Sequence, residues 1–174
     1  MMSVKLIDAN VTIDISIKVL TLTHSLTHSL THSPSSLKDS RITSKQLLDE
    51  AKHNLRCVDF KDLTLDLFLQ SVRDTTSRSC YSYSRAVSPG ERIDYFISHS
   101  WSDDGELKHK KLVELAQWHR SRYGQDPTFW FDKVCIDQNN IGNGLKVLPI
   151  NVMSCKYMLI LAGRTYSDRL WCVL

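Results

Sequence analysis

From Ile93 onward the chain alternates short apolar runs with longer amphipathic ones. Ile93-Asp94-Tyr95-Phe96-Ile97 reads as a buried strand, Phe129-Trp130-Phe131 as a second after the Asp126-Pro127 turn, and Tyr157 to Leu161 as a third, ending at Ala162-Gly163. Between the first two, Leu112, Leu115 and Ala116, with Trp118 or His119, fall on one face of a helix predicted over 106–123. Asp103 or Asp104 caps its start, and Gly124 is placed to end it. A looser helix is predicted over 145–155, weakened or kinked by Pro149. Ser167 would cap a further helix beginning at Asp168. Strands that alternate with helices predict a parallel sheet, because parallel neighbours need a crossover and the crossover is usually a helix. Short crossovers of one hand then make the sheet doubly wound.

The first ninety residues carry a different pattern. Ile13, Ile15, Ile17 and Val19 alternate with Asp14, Ser16 and Lys18, the period of a half-buried strand. Leu-Thr-His-Ser then occurs three times in tandem over residues 22–33, too short a unit for a solenoid. Its histidines suggest metal binding, but nothing preorganises them, and expanded low-complexity sequence is the stronger reading. Residues 1–40 are therefore expected to lack fixed structure. Thr43-Ser44-Lys45-Gln46 fits a capping box, and Leu47, Leu48, Ala51 and Leu55 follow helical spacing. Asp62 to Val72 is favoured as a helix, although the alternating leucines at 63, 65, 67 and 69 also suit a strand. Residues 74–90 read as linker. The expected organisation is thus 1–40 disordered, 41–90 a helical segment with linker, and 91–174 an α/β domain.

Composition changes this picture little. A net charge of +3 with no run of five Lys or Arg gives no basic stripe for nucleic acid. Lys108, Lys110 and Lys111 read as a solvated helix face. Five widely spaced cysteines without a CxxC point away from zinc or a redox dithiol and towards a reducing compartment. No apolar stretch is long enough to span a bilayer, and the N-terminus lacks a continuous signal-peptide core. The cytoplasm is the expected location, with no membrane insertion and no required cofactor.

Polar residues collect where the three strands end: Ser98 to Asp104 after the first, Asp132, Lys133 and Asp137 after the second, and Gly163 to Tyr166 after the third. Doubly wound sheets bind ligands at that edge. Ser98-His99-Ser100 does not read as a nucleophile with its base, because consecutive strand residues point to opposite faces and no Gly-x-Ser-x-Gly elbow is present. Asp103 and Asp104 read as helix caps rather than paired catalytic carboxylates. No glycine-rich phosphate loop occurs.

Asp94-Tyr95-Phe96-Ile97-Ser98-His99-Ser100, followed by Asp103-Asp104, resembles the first signature box of Toll/interleukin-1 receptor (TIR) domains. Phe131-Asp132 with Ile141 and Gly144 is similar to their second strand and following loop, and Ser167-Asp168-Arg169-Leu170-Trp171-Cys172 to the Ser…Trp-Cys start of their third helix. The order and spacing of these boxes resemble a divergent protist and algal TIR-like group. The resemblance implies a flavodoxin-like parallel sheet, with three of five expected strands present and the last two falling beyond residue 174. It further implies signalling or scaffolding through association with other TIR-like domains or with itself, by the loop at 137–145 and neighbouring helices. Some branches instead cleave NAD as a substrate, using a glutamate shortly after the Trp-Cys pair. Here that position would be 175 or later, so this chain is expected to be catalytically inactive even if the parent is an NAD glycohydrolase. Ser98, His99, Trp101 and Asp104 are the residues the resemblance suggests for a nucleotide cleft, with Trp101 able to stack on a ring.

Overall fold

The computed structural model describes residues 16–21, 45, 49, 51, 52, 54–69, 80–137 and 141–168. The tetrapeptide repeat, Thr43 and Gln46 of the capping box, and residues 169–174 with Trp171 and Cys172 lie outside the described residues. The elements are β1 (Ser16–Thr21), β2 (Arg56–Asp59), α1 (Leu65–Leu69), β3 (Arg85–Ala86), β4 (Ile93–His99), α2 (Gly105–Tyr123), β5 (Thr128–Trp130), α3 (Asp132–Cys135), α4 (Ile141–Lys146), α5 (Leu148–Met153) and β6 (Cys155–Ala162). One sheet joins the strands in the order β1-β6-β4-β5-β2-β3.

The expected α/β architecture is present. β4 lies between β5 and β6 and is parallel to both, so the three predicted strands take the flavodoxin-like order second-first-third. Their apolar composition follows from position: Ile93, Tyr95 and Ile97 of β4, Phe129 and Trp130 of β5, and Cys155, Leu159 and Leu161 of β6 are all buried. Such runs are expected of a parallel sheet covered on both faces. Cross-strand aromatics tie β4 to β5, with Phe96 stacked on Trp130 at 4.6 Å and Tyr95 on Phe129 at 5.6 Å between ring centroids.

Asp94 is a buried polar residue near the start of β4. Its side chain is 5% exposed and receives Lys156 Nζ at 2.8 Å and Thr128 N at 2.9 Å. The carboxylate therefore bridges β4 to both neighbours, and the ammonium supplies the opposite charge that a buried carboxylate requires.

α2 packs its inner face through Leu112, Leu115, Ala116 and His119, while Trp118 remains 38% exposed. His119 Nδ1 lies 3.0 Å from the Tyr95 hydroxyl on the sheet. Of the two candidate caps, Asp104 is the one that accepts from Leu107 N, at 2.9 Å. At the other end Gly124 adopts φ 75°, the left-handed conformation that glycine takes at least cost. Pro149 sits in the first turn of α5, and the predicted 145–155 helix is observed as α5 over 148–153, with residues 145 and 146 ending α4 and Cys155 opening β6.

Three expectations are corrected here. Ser16–Thr21 form β1, paired in register with β6, so the expected disorder of residues 1–40 does not hold for that segment. Lys108 and Lys111 do not lie on a solvated face: both are buried, and only Lys110 of the three is exposed. Lys108 Nζ donates to Ser100 O at 2.9 Å, and Lys111 pairs with Glu114 at 2.7 Å, which satisfies ammonium groups that burial alone would penalise. The described part of 74–90 is not a free linker either. Residues 80–86 form a 3-10 turn and β3, and β2 adds antiparallel to β5, extending the sheet. Arg85 fixes β3 through Asp59 at 2.8 Å and Glu91 at 2.6 Å. The Arg85 guanidinium holds the Glu91 carboxyl down at about 2, so this pairing persists to strongly acid pH.

Leu159 is fully buried in β6, and Leu159→Ala should cost about 2–5 kcal/mol, read as a fall in the urea midpoint at unchanged slope. Burial lowers the pKa of His119 below its ordinary value, so the folded protein binds this proton less readily than the unfolded chain. The stability this group contributes is full above about pH 6.5 and is lost as pH falls below it. Urea midpoints should drop between pH 7.5 and 5.5 in the parent, and drop less in His119→Gln.

Candidate functional site

The carboxyl ends of β4, β5 and β6 meet on one edge of the sheet, and α1 arrives there from the earlier part of the chain. Leu67 of α1 is buried, and its carbonyl receives Lys133 Nζ at 2.6 Å. His109 Nε2 of α2 lies 3.1 Å from Leu63 O just ahead of α1. A short helix of marginal intrinsic stability is thereby held by side chains from two other elements. Phe68, at its end, stacks on Phe131 with centroids 5.2 Å apart.

The predicted site residues separate into two groups. His99 turns towards the β5 side, where its Nε2 lies 3.1 Å from Asp132 Oδ1. Its ring is covered by Trp101 at 5.1 Å and Phe131 at 5.0 Å, and its side chain is 4% exposed. Trp101 also stacks over Phe131, and Lys133 Nζ stands 5.7 Å from its ring centroid. His99, Trp101, Phe131 and Phe68 thus form one aromatic group at the core edge, with Trp101 partly exposed.

Ser98 and Ser100 turn instead to the segment after β6. Ser98 Oγ meets the Tyr166 hydroxyl at 2.8 Å, and Ser100 Oγ meets Thr165 Oγ1 at 2.7 Å. Asp103 completes this second group. It is 8% exposed, and its Oδ1 accepts from Thr165 N at 2.9 Å and Thr165 Oγ1 at 3.0 Å. This overturns the expectation that Asp103 caps α2: it binds the loop after β6, and its other oxygen, Oδ2, is buried without a hydrogen-bond partner among the described residues. The carboxylate lies directly against the Gly163 backbone, where any Cβ would collide with it. Glycine at 163 is required by this close approach.

Between these loops lies a cleft of about 280 Å³, lined by Ser102, Asp103, Asp104, Leu107, Gly163, Arg164 and Thr165. It sits between the ends of β4 and β6, where the chain order reverses from β4-to-β5 to β5-to-β6, the switch point at which doubly wound sheets bind ligands. Of the four predicted residues only Asp104 lines this cleft, and its carboxylate also caps α2. Sequence order located Asp132, Lys133, Thr165 and Tyr166 at the correct edge but gave no sign of which would pair. The partners were decided by the side-to-side alternation along β4.

Burial pushes the thiols of Cys57 and Cys135 up, to about 11 and about 12, and raises Cys155 as well, so none is a thiolate at neutral pH. Burial lowers Lys108 and Lys133 from the ordinary ammonium value, with both ammonium groups hydrogen-bonded to carbonyls. Among the described residues no cluster of three His, Cys, Asp or Glu is placed to hold a metal, and no helix is long and apolar enough to cross a membrane. No protein-family model, curated protein or solved structure matches this chain.

Gly163→Ala should displace Asp103 and cost roughly 1–3 kcal/mol, the usual penalty of an extra group in a filled site. Asp103→Ala should cost about as much by leaving Thr165 N without its acceptor. Because both changes act on one contact, the double variant should lose less than the sum of the singles, measured as a double-mutant cycle in urea.

Proposed function

We propose that this chain is an intracellular signalling or scaffolding module that acts by TIR-like homotypic protein–protein association. The observation that carries the reading is the surface of α4 and α5. Ile141, Leu145 and Met153 expose 44%, 42% and 44% of their surfaces there; the first two fall within the 137–145 segment for which the resemblance implies a docking role, and which is helical from Ile141 on rather than a loop. Single exposed apolar residues are ordinary, but three on two consecutive short helices supply the kind of apolar centre that an association surface needs. The neighbouring charges, Lys146 and Asp137, suit a polar rim.

A second reading is favoured by the cleft between β4 and β6: capture of part of a nucleotide such as NAD. Its volume limits what it would hold. At about 280 Å³ it lies just under the roughly 300–1,000 Å³ of pockets that enclose whole small ligands. It suits one ring or one sugar.

Ile141→Asp with Leu145→Asp should weaken self-association at least tenfold in sedimentation velocity across a concentration series, while far-UV circular dichroism stays unchanged. An unaltered association constant in the folded double variant would sink the first reading. For the second, saturable binding of nicotinamide mononucleotide by calorimetry, abolished by Gly163→Ala, is the expected signature.

A further inference from the structure

The outer edge of β6 is filled by a strand from a distant part of the sequence. β1 pairs with β6 over six consecutive positions, from Ser16↔Ala162 to Thr21↔Tyr157, in antiparallel order. On its other edge β6 runs parallel to β4. β1 is therefore no continuation of the strand–helix alternation, which would place a parallel strand there. It is an added strand, related to β6 as a peptide is in β-augmentation.

Three features make this strand exchangeable. Its extensive contact among the described residues is with β6, so releasing it disturbs little else. Its hold is a backbone ladder, and a ladder accepts an identical segment from another molecule with the same register. Finally, residues 22–44 separate β1 from the rest of the fold and span up to about 75 Å when extended. That exceeds the roughly 16 Å radius of gyration expected of a chain this long.

We propose that the outer edge of β6 is a strand-docking site for residues 16–21 of a second copy of this chain, so that two copies exchange β1 in a closed two-fold pair. The same ladder forms in both states, and the balance is set by concentration. A tether of this length presents its own strand at an effective concentration on the order of millimolar. Dilute protein keeps β1 in place; copies crowded to that level exchange it. The exchange is distinct from association through α4 and α5 and does not require it.

The test places a disulfide across the register in the full-length chain, as Lys18→Cys with Ile160→Cys or, one step along, Val19→Cys with Leu159→Cys. One of the two is the closely spaced, non-hydrogen-bonded pair of an antiparallel ladder, about 4.5 Å between Cα atoms, which a disulfide spans. Equal amounts of ¹⁴N- and ¹⁵N-labelled protein are mixed at concentrations from micromolar to millimolar, then oxidised, digested and examined by mass spectrometry. Peptides joining the two engineered positions with mixed isotopes should rise at least tenfold across that range, and should persist when Ile141→Asp and Leu145→Asp are added. Joined peptides of single isotope at every concentration would overturn the proposal. Independently, Lys18→Pro with Val19→Pro removes at least one ladder donor whichever way the strand faces. That variant should bind a fluorescent peptide of residues 13–21 at least tenfold more tightly than the parent does. Failure of the variant to bind it, with Trp130 fluorescence showing a folded core, would equally overturn the docking site.

Discussion

A strand buried on both faces must have both edges paired, because its amide and carbonyl groups reach no water. β4 is such a strand: five of its first six positions are apolar or buried polar groups with defined partners, and β5 and β6 take its two edges. With Asp103 Oδ2 an exception among the described residues, most of the polar atoms that remain are satisfied inside the sheet. Asp94 does this at the entry to β4 through Lys156 and Thr128, and Ser98, Ser100 and Asp103 do it at the exit through Tyr166 and Thr165. The same need for satisfied groups therefore produces both the clasp at one end of the sheet and the hydroxyl network at the other.

The alternation along β4 then decides what the exit can do. His99 faces the side of Tyr95 and Ile97 and is absorbed into an aromatic group with Trp101, Phe131 and Phe68. Closing that side leaves the space between the β4 and β6 loops as the described opening at the switch point. α1 contributes to the closure, since Phe68 rides on a helix held by Lys133 and His109. The earlier part of the chain is thus a structural component of the edge where ligands would be sought.

Much of the parallel core was legible in the sequence, because apolar runs of strand length between amphipathic stretches admit few alternatives. α2 was legible to its caps: the period of Leu112, Leu115 and Ala116 and the glycine at 124 speak for themselves. β2 and β3 were not. Arg56-Cys57-Val58-Asp59 is too short to show a period, and β3 is two residues whose position depends on Arg85 finding Asp59 and Glu91. Lys108 was misread for a related reason. A lysine's spacing along a helix says where its stem starts, while the carbonyl that draws its ammonium inward belongs to another segment. Asp103 and Asp104 are neighbours of one residue type, and only the approach of Gly163 and Thr165 tells the clasp from the cap.

The pairing of β1 with β6 also has a consequence for the order of synthesis. Ser16 meets Ala162, so the first described strand to leave the ribosome adjoins the last. At about 5–20 residues per second, β1 waits on the order of ten seconds for its neighbour to be made. Throughout that interval the nascent chain carries an unmatched hydrogen-bonding edge, and on a polysome the nearest complementary ones belong to molecules begun moments before.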